Sequence, residues 1–163
     1  REGFLTDPYK LKDRRPDERK ELSFTSGYRH FFSAANAALH ADYRYFDDTW
    51  GVCSHTLDAA WHQNLGVRTQ LIPFARYYTQ DRADFFDNNV DFTTRYYADD
   101  YRLSAFGAVT VGMRLRHDVG DWTLSLAGER YKTAQNWGLY SGEESPALVN
   151  YWRFSFGLDY VFK

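Results

Sequence analysis

The sequence predicts an all-β chain: an antiparallel transmembrane β-barrel of outer-membrane type, seen as about seven C-terminal strands of a larger barrel. Three observations lead to this prediction. Apolar and polar residues alternate over long stretches, the polar positions carry full charges, and Phe, Tyr and Trp make up 19% of the 163 residues. The longest stretch without Asp, Glu, Lys or Arg, residues 30–41, has 12 residues, whereas a membrane-spanning helix needs about 18 apolar ones.

Strand alternation is clearest in the last segment, residues 150–163, where every second residue from Trp152 to Phe162 is apolar. Successive side chains of a strand face opposite sides, so each such segment has one apolar and one polar face. The apolar positions predicted to face lipid include Leu39, Tyr43, Leu57, Trp61, Leu71, Val109, Val111, Trp122, Leu124, Trp152, Phe154, Phe156, Leu158, Tyr160 and Phe162. The polar positions predicted to line the lumen include Arg29, His40, Asp42, Arg44, Asp58, His62, Arg68, Arg76, Arg102, Arg114, Arg116, Glu129, Arg153 and Asp159.

The direction of the two faces follows from what each could contact. Large aromatic side chains would overfill a narrow lumen, and in water they would form an apolar patch far larger than soluble monomers expose. Strands of about 12 residues also exceed the usual five or six residues of soluble sheets. An inverted barrel, with apolar side chains in lipid and charges inside, fits both observations. Pro73 is a local departure, because it removes one donor from the fourth strand.

Loop lengths predict the orientation. Short connections fall at 33–34, 64–66 and 119–120, and long polar segments at 81–100 and 134–149. Outer-membrane barrels have short periplasmic turns and longer external loops. We therefore expect a single domain, 1–163, with an external loop at 1–20, strands and loops over 21–163, and a periplasmic C-terminus.

Strand parity adds an expectation about completeness. Bacterial single-chain barrels have even strand numbers, so we expect at least one further strand, either before Arg1 or from another chain. The alternative is an eighth strand at 91–97.

Aromatic residues at both ends of the strands predict two membrane interfaces. One predicted girdle contains Tyr43, Tyr45, Tyr77 and Trp152, and the other contains Phe32, Trp61, Trp122, Tyr160 and Phe162.

The lumen charges have two interpretations: a selectivity lining, or arginine–carboxylate pairs that close the interior, which we favour for most of them. A metal site at His40, Asp42, Asp58 and His62 is conceivable, but we expect no metal and no other cofactor.

A catalytic centre at the external rim would use Asp47, Asp48, His55, Asp99 or Asp100, whose ordinary roles are turn formation and solvation. The sequence has no Gly-x-Ser-x-Gly motif, and we expect no enzyme. The single cysteine, Cys53, is read as a small apolar residue.

The end of the chain resembles the C-terminal β-signal of outer-membrane proteins, read by the barrel-assembly machinery. Residues 155–162 match it with Gly157, Tyr160 and Phe162, although Lys163 follows the usual terminal Phe.

Most of the chain is similar to a family of uncharacterised Gram-negative outer-membrane proteins, catalogued as a domain of unknown function. The similar segments are 3–10, 15–19, 28–30, 38–46, 50–51, 54–57 and 100–104. The resemblance implies additional strands before Gly3 and a link to extracytoplasmic redox or electron-transfer systems, and it carries over no catalytic residues.

These observations predict a channel or scaffold of the Gram-negative outer membrane, without intrinsic catalysis. The predicted partners are membrane lipid, the assembly machinery, the remaining barrel strands and a periplasmic or multi-protein complex, with no nucleic acid. The alternatives are a rim-located outer-membrane hydrolase and a soluble ligand-binding β-barrel.

Overall fold

The structure, a computed structural model, describes residues 13–87, 93–140, 145 and 147–162. The described residues form seven strands: β1 (Glu21–Phe32), β2 (Ala37–Asp48), β3 (Cys53–Leu65), β4 (Thr69–Gln80), β5 (Phe106–Val119), β6 (Trp122–Ala134) and β7 (Tyr151–Tyr160). They form one antiparallel sheet in chain order, β1 to β7. The prediction of an all-β chain with seven antiparallel strands is confirmed. Residues 1–12 of the predicted external loop, residues 91–92 and Lys163 lie outside the described residues.

The register of the sheet keeps like residues on one face. Leu39 pairs with Trp61, and Leu126 with Phe156. Every strand pair keeps one register throughout its length, and a slip by one residue would have moved a whole strand's side chains to the opposite face. The sheet therefore has an apolar face, containing Leu39, Leu126 and Phe156, and a polar face, containing Asp58 and its partner Arg76.

The chain reverses tightly at one end of the sheet, called here the short-turn end. Asn36, Gly66 and Gly120 have positive φ angles of 47°, 77° and 63° in the three turns, a conformation that glycine and asparagine adopt most readily. The three short connections therefore lie where the sequence predicted them. The opposite end, called the long-loop end, carries residues 81–87, 93–105, 135–140 and 147–150.

The predicted and observed strands differ around residue 103. The prediction of Arg102 as a lumen-facing position requires a strand at residue 102, but Tyr101–Leu103 form a 3-10 helix and β5 begins at Phe106. The Asp100 side chain accepts a hydrogen bond from the Arg102 backbone N–H, and the Leu103 N–H donates to the Asp100 carbonyl. Both backbone donors are therefore used within a turn and do not pair with a neighbouring strand. Residues 93–97 contain no strand, and Tyr97 forms an isolated bridge with Arg14.

Pro73 lies inside β4, as the sequence indicated. Its effect is confined to one side, because Pro73 still lies opposite Met113 of β5, while the β3–β4 pairing is interrupted opposite residues 72 and 73. Proline lacks the backbone N–H that a ladder needs. The register beyond the gap is unchanged, so the missing donor alters no side chain's face.

The described residues form a buried apolar cluster in the loops, while Ile72 and Phe106 are buried separately in the strands. Val52, Ala83, Phe86, Ala98 and Leu103 pack together at the long-loop end, and we call them the loop cluster. Residues 13–20 lie beside it, held by ion pairs from Arg15 to Asp100 and from Arg19 to Asp48. In the described ranges, no helix is long and apolar enough to cross a bilayer.

Candidate functional site

A concavity of about 350 Å³ lies on the polar face and joins residues from β3 to β7. We call it the polar concavity. Its lining residues are Asp58, Ala60, His62, Ile72, Phe74, Arg76, Thr110, Arg114, Glu129, Tyr131, Tyr151 and Arg153. Adjacent strands are about 4.8 Å apart, so side chains four strands apart can line one cavity only where the sheet curls toward them. The polar face is therefore the concave face, and the apolar face is convex.

Cross-strand ion pairs organise this concave face. Arg76 Nε lies 2.6 Å from Asp58 Oδ1, and Arg153 Nε lies 3.0 Å from Glu129 Oε1. Each pair joins residues directly opposite in the register, the position at which opposite charges stabilise neighbouring strands. Farther along the face, Arg29 makes two bonds of 2.8 and 2.9 Å to the Asp42 carboxylate. Four of the predicted lumen charges are thus paired within the two ladders that line the concavity.

Arg114 differs from these paired arginines. Its guanidinium lies over the Phe74 ring, 5.9 Å from the centroid, and among the described residues no carboxylate approaches it within 4 Å. The concavity is lined by three arginines, Arg76, Arg114 and Arg153, but by only two carboxylates, those of Asp58 and Glu129. Arg114 is therefore the lining cation most available to an anionic solute or partner.

The two predicted lumen histidines do meet. The ring centroids of His40 and His62 are 4.0 Å apart, and His62 Nδ1 lies 3.4 Å from Gln70 Oε1. The carboxylates considered with them bind arginines instead, Asp42 to Arg29 and Asp58 to Arg76. Over the part of the chain that the structure describes, no group of three or more His, Cys, Asp and Glu side chains is arranged to hold a metal ion.

Two of the four acidic candidates at the long-loop end, Asp48 and Asp100, are held in ion pairs. The Asp48 side chain is fully buried and accepts bonds from Arg19 and from the backbone N–H groups of Trp50 and Val52. Arg102 and Arg15 bind Asp100 and lower the pKa of its carboxyl to about 2. Both carboxylates therefore act as structural anchors of the loops.

His55 lies on the opposite face from Asp48, since β2 and β3 place them at positions of opposite parity. Its Nδ1 is 2.7 Å from the Tyr43 hydroxyl and its Nε2 is 2.9 Å from the Tyr140 hydroxyl. The same Tyr140 hydroxyl lies 3.2 Å from Cys53 Sγ, and this contact raises the pKa of Tyr140. The structure thus places His55 in a tyrosine contact network and not beside Asp48 or Asp100.

The remaining predicted lumen residues lie where their strand parity places them, with two exceptions. Arg102 is in the 3-10 helix at the long-loop end, and Arg68 is in the turn between β3 and β4. The predicted lipid-facing residues within strands all share the apolar face. Phe154 and Phe156 of β7 are 77% and 67% exposed there.

Sequence reasoning missed two cations on the apolar face. Arg130 lies opposite Val111 and Trp152, and Lys132 lies opposite Val109. Glu129 is the last residue of β6 among the predicted positions, whereas the strand continues to Ala134. Extending the same parity from Trp122 would have identified both residues.

The fold and the site define a class: a seven-stranded antiparallel sheet with a charged concave face and an apolar convex face. The chain belongs to the family described as Protein of unknown function (DUF3570), whose model matches residues 1–152. The resemblance to an uncharacterised domain family is thereby confirmed. No curated protein and no solved structure matches the sequence.

Proposed function

We propose that this chain forms the wall of an outer-membrane-type β-barrel in a Gram-negative bacterium and acts as a channel or scaffold without intrinsic catalysis. One observation carries the proposal: the convex face of the sheet is apolar and exposed, while the concave face is charged. Trp152, Phe154, Phe156 and Leu158 are each more than half exposed on β7 alone. This arrangement is the inverse of a soluble ligand-binding barrel, whose apolar side chains lie inside.

The free energy of hydration supports lipid as the surrounding medium. Burying a large apolar side chain is worth about 1.5–3 kcal/mol, and here many such side chains remain uncovered. Val111, Met113, Leu126 and Phe154 form one continuous stretch across β5, β6 and β7. Soluble monomers rarely expose patches larger than a few hundred Å², whereas an outer-membrane barrel presents such a band to lipid.

The stagger of the strands is also what a barrel requires. One row of paired residues crosses the sheet through Gly27, Asp42, Asp58, Arg76, Thr110, Tyr131 and Tyr151. This row starts at the seventh residue of β1 and ends at the first residue of β7. The strand ends therefore shift by about one residue per strand, the stagger that tilts an eight-stranded barrel by about 36°.

The two edges of the sheet need partners in this setting. Within the described residues, β1 pairs only with β2, and β7 only with β6. Unpaired backbone groups cost several kcal/mol each in hydrocarbon, so open edges do not occur in contact with lipid. We propose that further strands, from the same or another chain, close the barrel, and that the assembly machinery reads Gly157, Tyr160 and Phe162 at the β7 edge.

The polar concavity supports a role for the interior. Arg76–Asp58 and Arg153–Glu129 keep four charges paired, and Arg114 remains available to bind a passing anion or a partner's carboxylate. The rim-hydrolase alternative gains no support, since Asp48 and Asp100 are occupied by arginines. A partner from an extracytoplasmic redox system stays a prediction.

Spin labelling of the full-length protein in lipid nanodiscs tests the proposal. Single cysteines at 153, 154, 155, 156, 158 and 159, in a Cys53→Ala background, would carry a nitroxide. Labels at 154, 156 and 158 should collide with oxygen, which concentrates in lipid, and labels at 153, 155 and 159 with a water-soluble nickel complex. If the labels in both sets of positions were accessible only to the nickel complex, a lipid-facing sheet would be refuted.

Conductance measurements on the same reconstituted protein distinguish a channel from a scaffold. Discrete conductance steps in a planar bilayer indicate a channel, and Arg114→Glu should then lower its preference for anions while the charge-conserving Arg114→Lys leaves it unchanged. A silent bilayer together with a protein that co-purifies stoichiometrically indicates a scaffold.

A further inference from the structure

The apolar face carries an unassigned cationic groove at its long-loop end. It has a volume of about 520 Å³ and is lined by Val109, Val111, Arg130, Lys132, Trp137 and Trp152. We call it the rim groove. We propose that the rim groove binds the phosphate of an anionic membrane lipid. This inference rests on the membrane-embedded sheet proposed above.

Within the described ranges, neither cation of the groove has a carboxylate partner. Arg130 stacks over the Trp152 ring, 5.2 Å from its centroid. Among the described residues, no carboxylate lies within 4 Å of Arg130 or Lys132, in contrast to Arg153 on the other face, which binds Glu129. Two neighbouring cations on an apolar face are costly in hydrocarbon. A phosphate held between them would satisfy both with charge-assisted hydrogen bonds.

The position of the groove fits the height of lipid headgroups. On β6, apolar side chains occupy the convex face from Trp122 through Leu126, and Arg130 follows eight residues after Trp122. Eight residues of strand span about 26 Å, or about 20 Å along the membrane normal at a 40° tilt. An outer-membrane barrel has an apolar band about 25 Å tall with aromatic girdles at both margins, so Arg130 and Lys132 lie at its upper margin.

The walls of the groove are held in place. The 3-10 helix Gln135–Trp137 lies directly on β5 at Gly107, where a Cβ atom would come within 2.2 Å of the Trp137 backbone. The Tyr77 hydroxyl donates to the Trp137 carbonyl at 2.7 Å, and the Leu139 N–H donates to Thr79 Oγ1 at 2.9 Å. These contacts fix the segment that contributes Trp137 to the groove, which Trp152 also lines. Tryptophan is enriched where lipid chains meet headgroups.

Native mass spectrometry of the full-length protein tests this inference. The protein, in zwitterionic phosphatidylcholine nanodiscs, would be titrated with dioleoyl phosphatidic acid, and the bound phosphatidic acid counted. Wild type should bind it in preference to phosphatidylcholine. Because each cation near a membrane surface contributes about 1 kcal/mol, Arg130→Gln and Lys132→Gln should each weaken binding about fivefold, and the double variant about 25-fold.

The matched control is Arg68→Gln with Arg116→Gln, which removes the same charge from the polar side at the short-turn end. It should bind phosphatidic acid like wild type. Equal binding by the double groove variant, an equal loss in the control, or displacement of the lipid by inorganic phosphate at the same concentration would overturn the inference. A nitroxide at residue 156 in the same samples distinguishes failure of the groove proposal from failure of the proposed function. If the label is accessible to oxygen, only lipid binding by the groove is refuted. If it is accessible only to the nickel complex, the proposed function fails as well.

Discussion

Large apolar side chains are exposed on the convex face of the sheet but buried in the loop cluster. In the loop cluster, Phe86 and Leu103 are 3% and 7% exposed, and the ion pairs Arg15–Asp100 and Arg19–Asp48 lie beside it. In the sheet, Phe154 is 77% exposed, and charged residues occupy the concave side. A single chain has thus placed apolar side chains inside at one end and outside along its strands. The contrast is explained if water surrounds the loops and hydrocarbon surrounds the sheet.

Removing a cluster side chain should have the largest effect. Phe86→Ala leaves a cavity among Val52, Ala83 and Leu103, and truncating a buried Phe costs about 3–5 kcal/mol. We expect amide protons of residues 97–104 to lose protection in hydrogen exchange, while those of β5 and β6 keep theirs. Leu139→Ala, at a 69% exposed position, is the control and should change little. Unchanged protection in Phe86→Ala would show that the cluster is not a core.

A charge on the convex face should have the next largest effect. Phe156→Arg is expected to destabilise the protein in lipid vesicles by about 2–4 kcal/mol, the cost of an arginine near the bilayer midplane. Ser155→Arg, one residue away on the concave face, is the matched control and should cost much less. Urea unfolding of both variants in vesicles measures the difference. Equal costs would mean that the two faces meet the same solvent, contrary to the contrast drawn above.

Acid should weaken the loop end. Arg102 and Arg15 hold the pKa of Asp100 at about 2, below its ordinary 3.8. A carboxyl whose pKa is lower in the folded state stabilises above the unfolded pKa, and this stabilisation is lost as the pH falls from about 4 to 2. We expect cleavage by pepsin within residues 93–104 to increase over that interval.

Asp100→Asn is the control for this pH effect. It should be cleaved more readily than wild type already at pH 4, with a smaller further increase on acidification, because the titrating group is gone. A wild-type profile as flat as that of Asp100→Asn would exclude Asp100 as the acid-sensitive anchor of the loops.

Much of the sheet could be predicted because strand parity is a local property. The side chains of Phe154 and Arg153 had to face opposite sides once the backbone was extended. The turn at Gly120 followed from its position between two alternating segments. The start of β5 could not be predicted, because the Asp100 side chain competes with the ladder for the backbone donor of Arg102.

The candidate site was predictable only in part. Parity placed Asp58, Arg76 and Arg153 on one face, but which charges pair depends on the register between strands, which no single segment contains. Cross-strand placement pairs Arg153 with Glu129 and leaves Arg114 over Phe74. The rim groove needs a further long-range contact, since Trp137 reaches it only because its segment packs on Gly107.

By itself, the sequence determined the alternation, the number of strands and the positions of the short turns, because these depend on steric preferences of neighbouring residues. The tertiary structure decided which face is concave, which arginines find carboxylates and which side chains of the loops are buried. Those properties arise from curvature, register and loop packing, and each requires residues far apart in the chain to meet.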